Sequence, residues 1–215
     1  MHIAILTFDG YNELDSIVAL GILHRVKRPG WRVSLACPTP TVTSMNGVVL
    51  QAQATLADAN AADAVIVGSG IKTREIAQDA TILGALKLDP SRQLIGAQCS
   101  GTLLLAKLGL LGQGADRLPA CTDLITRPWV QEAGVEVLNQ PFFARGNVAT
   151  AGGCLASQYL AAWLIARLVG GDEGEREAHS ALHYVAPVGE KDDYVARALG
   201  HVRPYLPATA HTVPA

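Results

Sequence analysis

The sequence predicts an α/β protein with a mostly parallel sheet enclosed by helices, and three observations predict it. Strand-length apolar runs alternate with longer segments at helical spacing. The run Leu94-Ile95-Gly96-Ala97 has the length and apolar continuity of a strand covered on both faces. It passes within a few residues into the Leu- and Ala-rich segment 102–111, which is long enough for a helix, with Cys99 at the passage. A strand that turns so abruptly into a helix crowds its backbone and needs small neighbours. Ala97 and Gly101 supply them, two residues to either side. The geometry lifts the central side chain out at the carboxyl end of the strand, as in a nucleophile elbow. The following helix N-terminus places partial positive charge near the sulfur, which favours thiolate.

The other elements follow in order. Residues 2–7 form a first strand, FDGYN turns the chain, and 13–26 carries Leu14, Ile17, Val18, Gly21 and Ile22 at helical spacing until Pro29-Gly30 breaks it. Residues 31–36 form a second strand, and irregular chain leads to a small hairpin around Asn46-Gly47. Residues 64–67 form a core strand that ends in Gly68-Ser69-Gly70, and 73–88 is expected as one helix. Beyond the elbow helix, 123–133 reads as a polar helix, 135–138 as a strand, and Phe142-Phe143 with 147–150 as a hairpin across Arg145-Gly146. An apolar helix over 155–169 ends at Gly170-Gly171, and Asp172 is expected to cap a charged helix reaching about His183. One domain over 1–203 is expected, followed over 204–215 by a proline-containing tail, extended or disordered.

Composition narrows the function. Hydrophobic residues make up 49% of the 215 and charged residues 17%, which is the balance of a globular chain. A formal net charge of −2 without a Lys/Arg run argues against nucleic-acid and membrane-surface partners. No apolar stretch has the uninterrupted length of a membrane span, and the first residues lack the basic start of a signal peptide. The four cysteines lie far apart without a Cys-x-x-Cys pair, so reduced thiols and a cytoplasmic location are expected.

In open α/β sheets the site lies at the carboxyl ends of the strands, so three loops matter: 8–15, 68–72 and 98–101. Asp15 admits two readings. Asn12-Glu13-Leu14-Asp15 resembles a helix start, with Asn12 as cap and an acid in the first turn. Alternatively, Asp15 is a carboxyl group that shares a proton with the cysteine sulfur, with Glu13 as the fallback. The amides of Gly68-Ser69-Gly70 form either an anion-stabilising nest or a plain tight turn. The loop lacks the Lys-Ser/Thr ending of a phosphate loop. Ser100 either hydrogen-bonds the sulfur or a water, or caps the helix. His179 and His183 have zinc-pair spacing but no third ligand in pattern, so no metal is expected. Cys37 and Cys154 read as packing residues, and Tyr184, Pro187 and Asp193 as possible borders of the cleft.

On these residues the chain resembles the ThiJ/PfpI (class I glutamine amidotransferase-like) superfamily from His2 to about Tyr194. Within it, the chain is most similar to the isocyanide hydratases. Leu14-Asp15, VIVGSG (65–70), CSGTLLLAKLGLL (99–111), GNVATAGG (146–153) and HYVAP (183–187) carry the resemblance. It implies a flavodoxin-like three-layer sandwich, with Cys99 as nucleophile, Asp15 as acid partner and Ser100 as the adjoining hydroxyl. An oxyanion-type site of Gly70 and Ser100 amides beside Ser69 is also implied, as is a homodimer that needs no cofactor. Three departures stand out. RLPACTD places Cys121 where relatives carry a His; Gly68-Ser69-Gly70 replaces Pro-Gly-Gly; and Ser16-Ile17-Val18 follows the acid in place of Thr-Gly-Pro. Cys121 thereby becomes a candidate substrate-site residue with two readings: a thiol close enough to Cys99 to crosslink with it on oxidation, or an inert packing thiol.

The expected function is hydration of a small, apolar isocyanide to an N-substituted formamide, without protease activity. Two alternatives stand beside it. One is a cofactor-free glyoxalase or deglycase for 2-oxoaldehydes, which would need a further proton shuttle near Cys99. The other is a non-enzymatic small-molecule or redox-sensing domain, for which a DNA-binding partner would have to be separate.

Overall fold

The structure, a computed structural model, describes residues 1–207. The chain runs β1 (His2–Leu6), α1 (Glu13–Leu23), β2 (Arg32–Cys37), β3 (Thr41–Thr43), β4 (Val49–Gln51), β5 (Ala54–Thr55), α2 (Leu56–Ala61) and β6 (Ala64–Val67). It continues through α3 (Thr73–Ile76), α4 (Ala80–Ala85), β7 (Leu94–Gln98), α5 (Gly101–Lys107), α6 (Arg127–Glu132), β8 (Phe142–Arg145) and β9 (Val148–Ala151). Three helices close it: α7 (Ser157–Val169), α8 (Gly171–Val185) and α9 (Lys191–Val202).

Seven strands form one sheet in the order β5-β2-β1-β6-β7-β9-β8. Every pairing in it is parallel except β8 with β9. Alternate side chains of each strand enter opposite cores. Ile3, Ile5, Val33, Leu35 and Ile66 pack under α1, α7, α8 and α9, where Trp163 is fully buried. Ala4, Leu6, Val65, Val67, Ile95 and Ala97 face Leu103, Leu104 and Leu105 of α5. Both faces are covered, which is why the strand sequences are apolar throughout. The expected α/β sandwich is the observed one. No helix among the described residues is long and apolar enough to cross a membrane.

Several elements differ from expectation, each for a local reason. The helix expected over 73–88 is two, α3 and α4, because the Asp79 side chain accepts from the amides of Thr81 and Ile82 and starts a new helix there. The polar helix expected from 123 begins at Arg127, since Asp123 folds back to accept from the amides of Ile125 and Thr126. Residues 135–138 form no strand, and Val137 makes only a bridge with Ala120. Asp172 does not cap α8: the cap position is Gly170, with φ at 81° and no side-chain bond. Two helices were not expected. α2 carries a capping box in which Thr55 and Asp58 bond reciprocally, and α9 packs Val195, Ala198, Leu199 and Val202 into the core beside α7 and α8.

Of the expected tail, residues 203–205 form a one-turn helix, and Tyr205 stacks edge-on against Phe142 and Phe143. The part beyond residue 207 lies outside the described residues.

Candidate functional site

The passage from β7 to α5 is as tight as the small residues around it predict. Cys99 has φ at 47°, alone among the described non-glycine residues in the left-handed region. Such a conformation costs on the order of 1–3 kcal/mol and persists only where the surroundings hold it. The Cys99 amide donates to the Ala151 carbonyl at 2.8 Å, and the Thr122 hydroxyl donates to the Cys99 carbonyl at 2.8 Å. Gly101 is required, since a Cβ there would stand 2.4 Å from the Val67 carbonyl oxygen.

The elbow brings Cys99 to Asp15. Its thiol donates to Asp15 Oδ1 at 3.5 Å, and the two side chains are 3% and 0% exposed, so their exchange takes place out of water. Asp15 is not the helix cap. Asn12 is, with its side-chain oxygen accepting from the Leu14 amide, while the Asp15 carboxylate accepts from the Ser69 hydroxyl, from Gln98 Nε2 at 3.2 Å and from Cys99. Glu13, the fallback acid, points elsewhere and holds Ser44 and Asn46 of the hairpin.

Burial raises the Asp15 pKa, and its hydrogen bonds to Ser69, Gln98, Cys99 and Cys154 pull partly the other way. Burial also pushes the Cys99 thiol up, followed by the charges of Asp15 and Cys154. Burial and the neighbouring acid thus act against the low-pKa thiolate expected beside a helix N-terminus. α5 has only seven residues, and the neighbouring acid opposes its dipole. The Cys99 thiol thus donates to a carboxyl group placed to take up and return its proton.

The loop after β6 packs tightly: a Cβ on Gly70 would lie 2.3 Å from the Gly10 carbonyl oxygen. The Gly70 amide donates to Ser100 Oγ at 3.2 Å, and the Ser100 and Thr73 hydroxyls meet at 2.7 Å. Ser100 thus latches the glycine loop and makes no side-chain cap on α5.

These residues line a cavity of about 340 Å³. Met45, Ile71, Ile125 and Trp129 supply apolar wall, Asn12, Ser69, Gly70 and Ser100 polar wall, and among the described residues no Lys, Arg or His lines it. A more open groove of about 660 Å³ adjoins it, sharing Asp123 and Ile125 but not Cys99.

Cys121, expected at the substrate site, is fully buried and does not line the cavity; its thiol is pushed up to about 12 by burial. From that segment Asp123 reaches the cavity instead, with Oδ2 buried and unpaired. The Tyr184 ring lies under the Arg25 guanidinium, and neither it nor Pro187 nor Asp193 borders the cavity. His179 and His183 stack on α8. Among the described residues the one cluster of three such donors is Asp15, Cys99 and Cys154.

Three residues of the site were missed. Gln98 Nε2 bonds Asp15, the Cys99 sulfur and the carbonyls of Gly153 and Cys154, bracing both sides of the elbow. Its place next to Cys99 was a signal, because a lone polar residue ending a buried strand needs a partner. Cys154 lines the cavity and accepts from Asn12 Nδ2 at 3.2 Å, where packing alone was expected. Asp123 had no local signal beyond its turn.

Comparison with solved structures finds the same fold. Schizosaccharomyces pombe DJ-1 matches with a TM-score of 0.71 at 17% identity, over 87% of this chain and all of that one. A ThiJ/PfpI family protein from Pseudomonas syringae gives 0.72 at 18%, over 94% and 87%. A cysteine-to-alanine mutant of a DJ-1 superfamily protein from Salmonella typhimurium gives 0.70 at 24%, over 86% and 98%. Comparison with curated proteins gives no match. The model of the DJ-1/PfpI family matches residues 1–167, and the chain belongs to that family.

Proposed function

We propose that the protein is a cysteine-dependent hydratase of small apolar isocyanides. The observation that carries the reading is the buried Cys99–Asp15 pair, 3.5 Å apart, opening on a partly apolar cavity with no basic side chain. Such a cavity suits an uncharged substrate. Asp15 takes the thiol proton as Cys99 attacks the terminal carbon of R–N≡C, then returns it to that carbon, giving a thioimidate. Asp15 next draws a proton from water as the water adds to the carbon, and passes it to the nitrogen. Collapse of the adduct breaks the C–S bond, the hydroxyl proton passes through Asp15 to the sulfur, and the N-substituted formamide and the thiol are released. Ser69 and Gln98 orient the carboxyl group through its hydrogen bonds. The Gly70 amide is free to receive developing charge only once Ser100 releases it. No cofactor enters the scheme. Incubating the purified protein with cyclohexyl isocyanide should give the formamide, and Cys99→Ala should give none; equal rates for the two would overturn the reading.

One observation favours a second reading, a glyoxalase acting on 2-oxoaldehydes. Enediol chemistry needs a further proton shuttle, and Asp123 places a second carboxyl group in the same cavity. Methylglyoxal in place of the isocyanide separates the two. Lactate formation lost in Asp123→Asn would favour the glyoxalase, and formamide formation surviving that change would favour the hydratase.

A further inference from the structure

Two thiols, rather than one, face the cavity. The Cys99 and Cys154 sulfurs and a carboxylate oxygen of Asp15 all lie within 4.8 Å of one another. The two cysteines differ in access: Cys99 is buried on the elbow, whereas Cys154 is half-buried. They differ also in their backbone. Cys99 is pinned by its amide and carbonyl bonds. Cys154 opens the one-turn helix Cys154–Ala156, directly after Gly153 with φ at 93°. A rotation of this short segment, or of the Cys154 side chain, is the smaller movement that would bring the sulfurs to the ~2.05 Å of a disulfide.

We propose that Cys99 and Cys154 are a reactive dithiol that reduces small hydroperoxides and closes to an intramolecular disulfide. Cys154, the accessible partner, meets the peroxide first. As Asp15 takes the Cys154 thiol proton, that sulfur takes the distal oxygen of ROOH: an S–O bond forms, the O–O bond breaks, and the alkoxide leaves as ROH with the proton from Asp15. Asp15 then accepts the Cys99 proton while that sulfur attacks the Cys154 sulfenic acid. The S–S bond forms, the S–O bond breaks, and hydroxide leaves as water with the proton from Asp15. The two thiols lose two electrons and the peroxide gains them, giving ROH and one water. A small thiol reductant returns the pair by exchange, in which two molecules of the thiol become their own disulfide. While the bond stands, the Cys99 nucleophile is blocked and is also protected from further oxidation.

Cys37 and Cys121 provide the contrast. Neither lines the cavity. The test needs no assay of the hydratase. Purified wild-type protein is treated with a slight excess of hydrogen peroxide, denatured, and its free thiols are counted and mapped by peptide mass spectrometry. The count should fall from four to two, with a Cys99–Cys154 crosslink that dithiothreitol removes. Cys121→Ser should form the same crosslink, whereas Cys154→Ser should form none and Cys99→Ser should leave a Cys154 sulfenic acid that dimedone traps. A Cys99–Cys121 or intermolecular crosslink would overturn the proposal. So would Cys99 sulfinic acid in the wild type with Cys154 still reduced. The wild-type map decides the matter even if a variant fails to fold.

Discussion

Among the described residues Asp15 has no cationic partner, so its behaviour is set by burial and by neutral donors: Ser69, Gln98 and the Cys99 thiol. This separates its chemistry from its contribution to stability. Asp15→Asn preserves shape but cannot carry the exchangeable proton, so turnover should fall by roughly 10²–10⁴-fold. Stability should move the other way. Because the folded pKa is raised above the ordinary 3.8, the folded chain holds a proton that the unfolded chain releases. Stability from this group is fully present below the ordinary value and is lost as pH rises through the folded one. The melting temperature of Asp15→Asn, measured against wild type, should therefore climb from acid toward neutral pH; a constant difference across that range would show that Asp15 titrates normally. Cys99 and Asp15 were legible because each follows a strand in a recognisable local pattern. Cys154 and Asp123 were not, because Cys154 lies 55 positions along the chain from Cys99, and the local turn that holds Asp123 does not show that it faces the cavity.

At the scale of elements, the strands and the elbow were the readable part. A buried parallel strand must be apolar throughout, and an abrupt strand-to-helix turn must have small neighbours. Helix boundaries were harder because they rest on single side-chain bonds. Asp79 splits one expected helix and Asp123 shortens another, and nothing in the hydrophobic period marks either event. The elbow's geometry gives a paired prediction. Gly101→Ala would put a methyl group 2.4 Å from the Val67 carbonyl oxygen and 2.7 Å from that of Gly68, both backbone atoms that cannot turn aside. The strand and helix must separate, at a cost of about 1–3 kcal/mol, or several degrees of melting temperature. Cys99→Gly removes the side chain from a left-handed position and should melt higher than Cys99→Ala. If calorimetry finds Gly101→Ala unchanged, or the alanine variant the more stable of that pair, the elbow is less constrained than its contacts imply.

For the whole molecule, the environment of the cavity mouth is unusual for a chain acting alone. Leu14, Ile71, Ile125 and Leu155 are between 50% and 78% exposed, and each either lines the cavity or stands next in the chain to a residue that does. Ile17, one turn from Leu14 on α1, is 41% exposed. Scattered exposed apolar residues need no explanation, but Ile71 and Ile125 are exposed and wall the same cavity, which makes that face a candidate for cover. A second copy of the chain is the expected cover, and an ordinary interface of about 800 Å² from each partner is ample for it. Light scattering should therefore give twice the 22.6 kDa of one chain. Ile17→Glu would place a charge in that interface and should halve the mass while leaving the sheet and its circular dichroism intact. A wild-type mass of 22.6 kDa would refute the dimer. A variant that stayed paired would place the interface away from α1, leaving this apolar mouth open as the entrance for an apolar substrate.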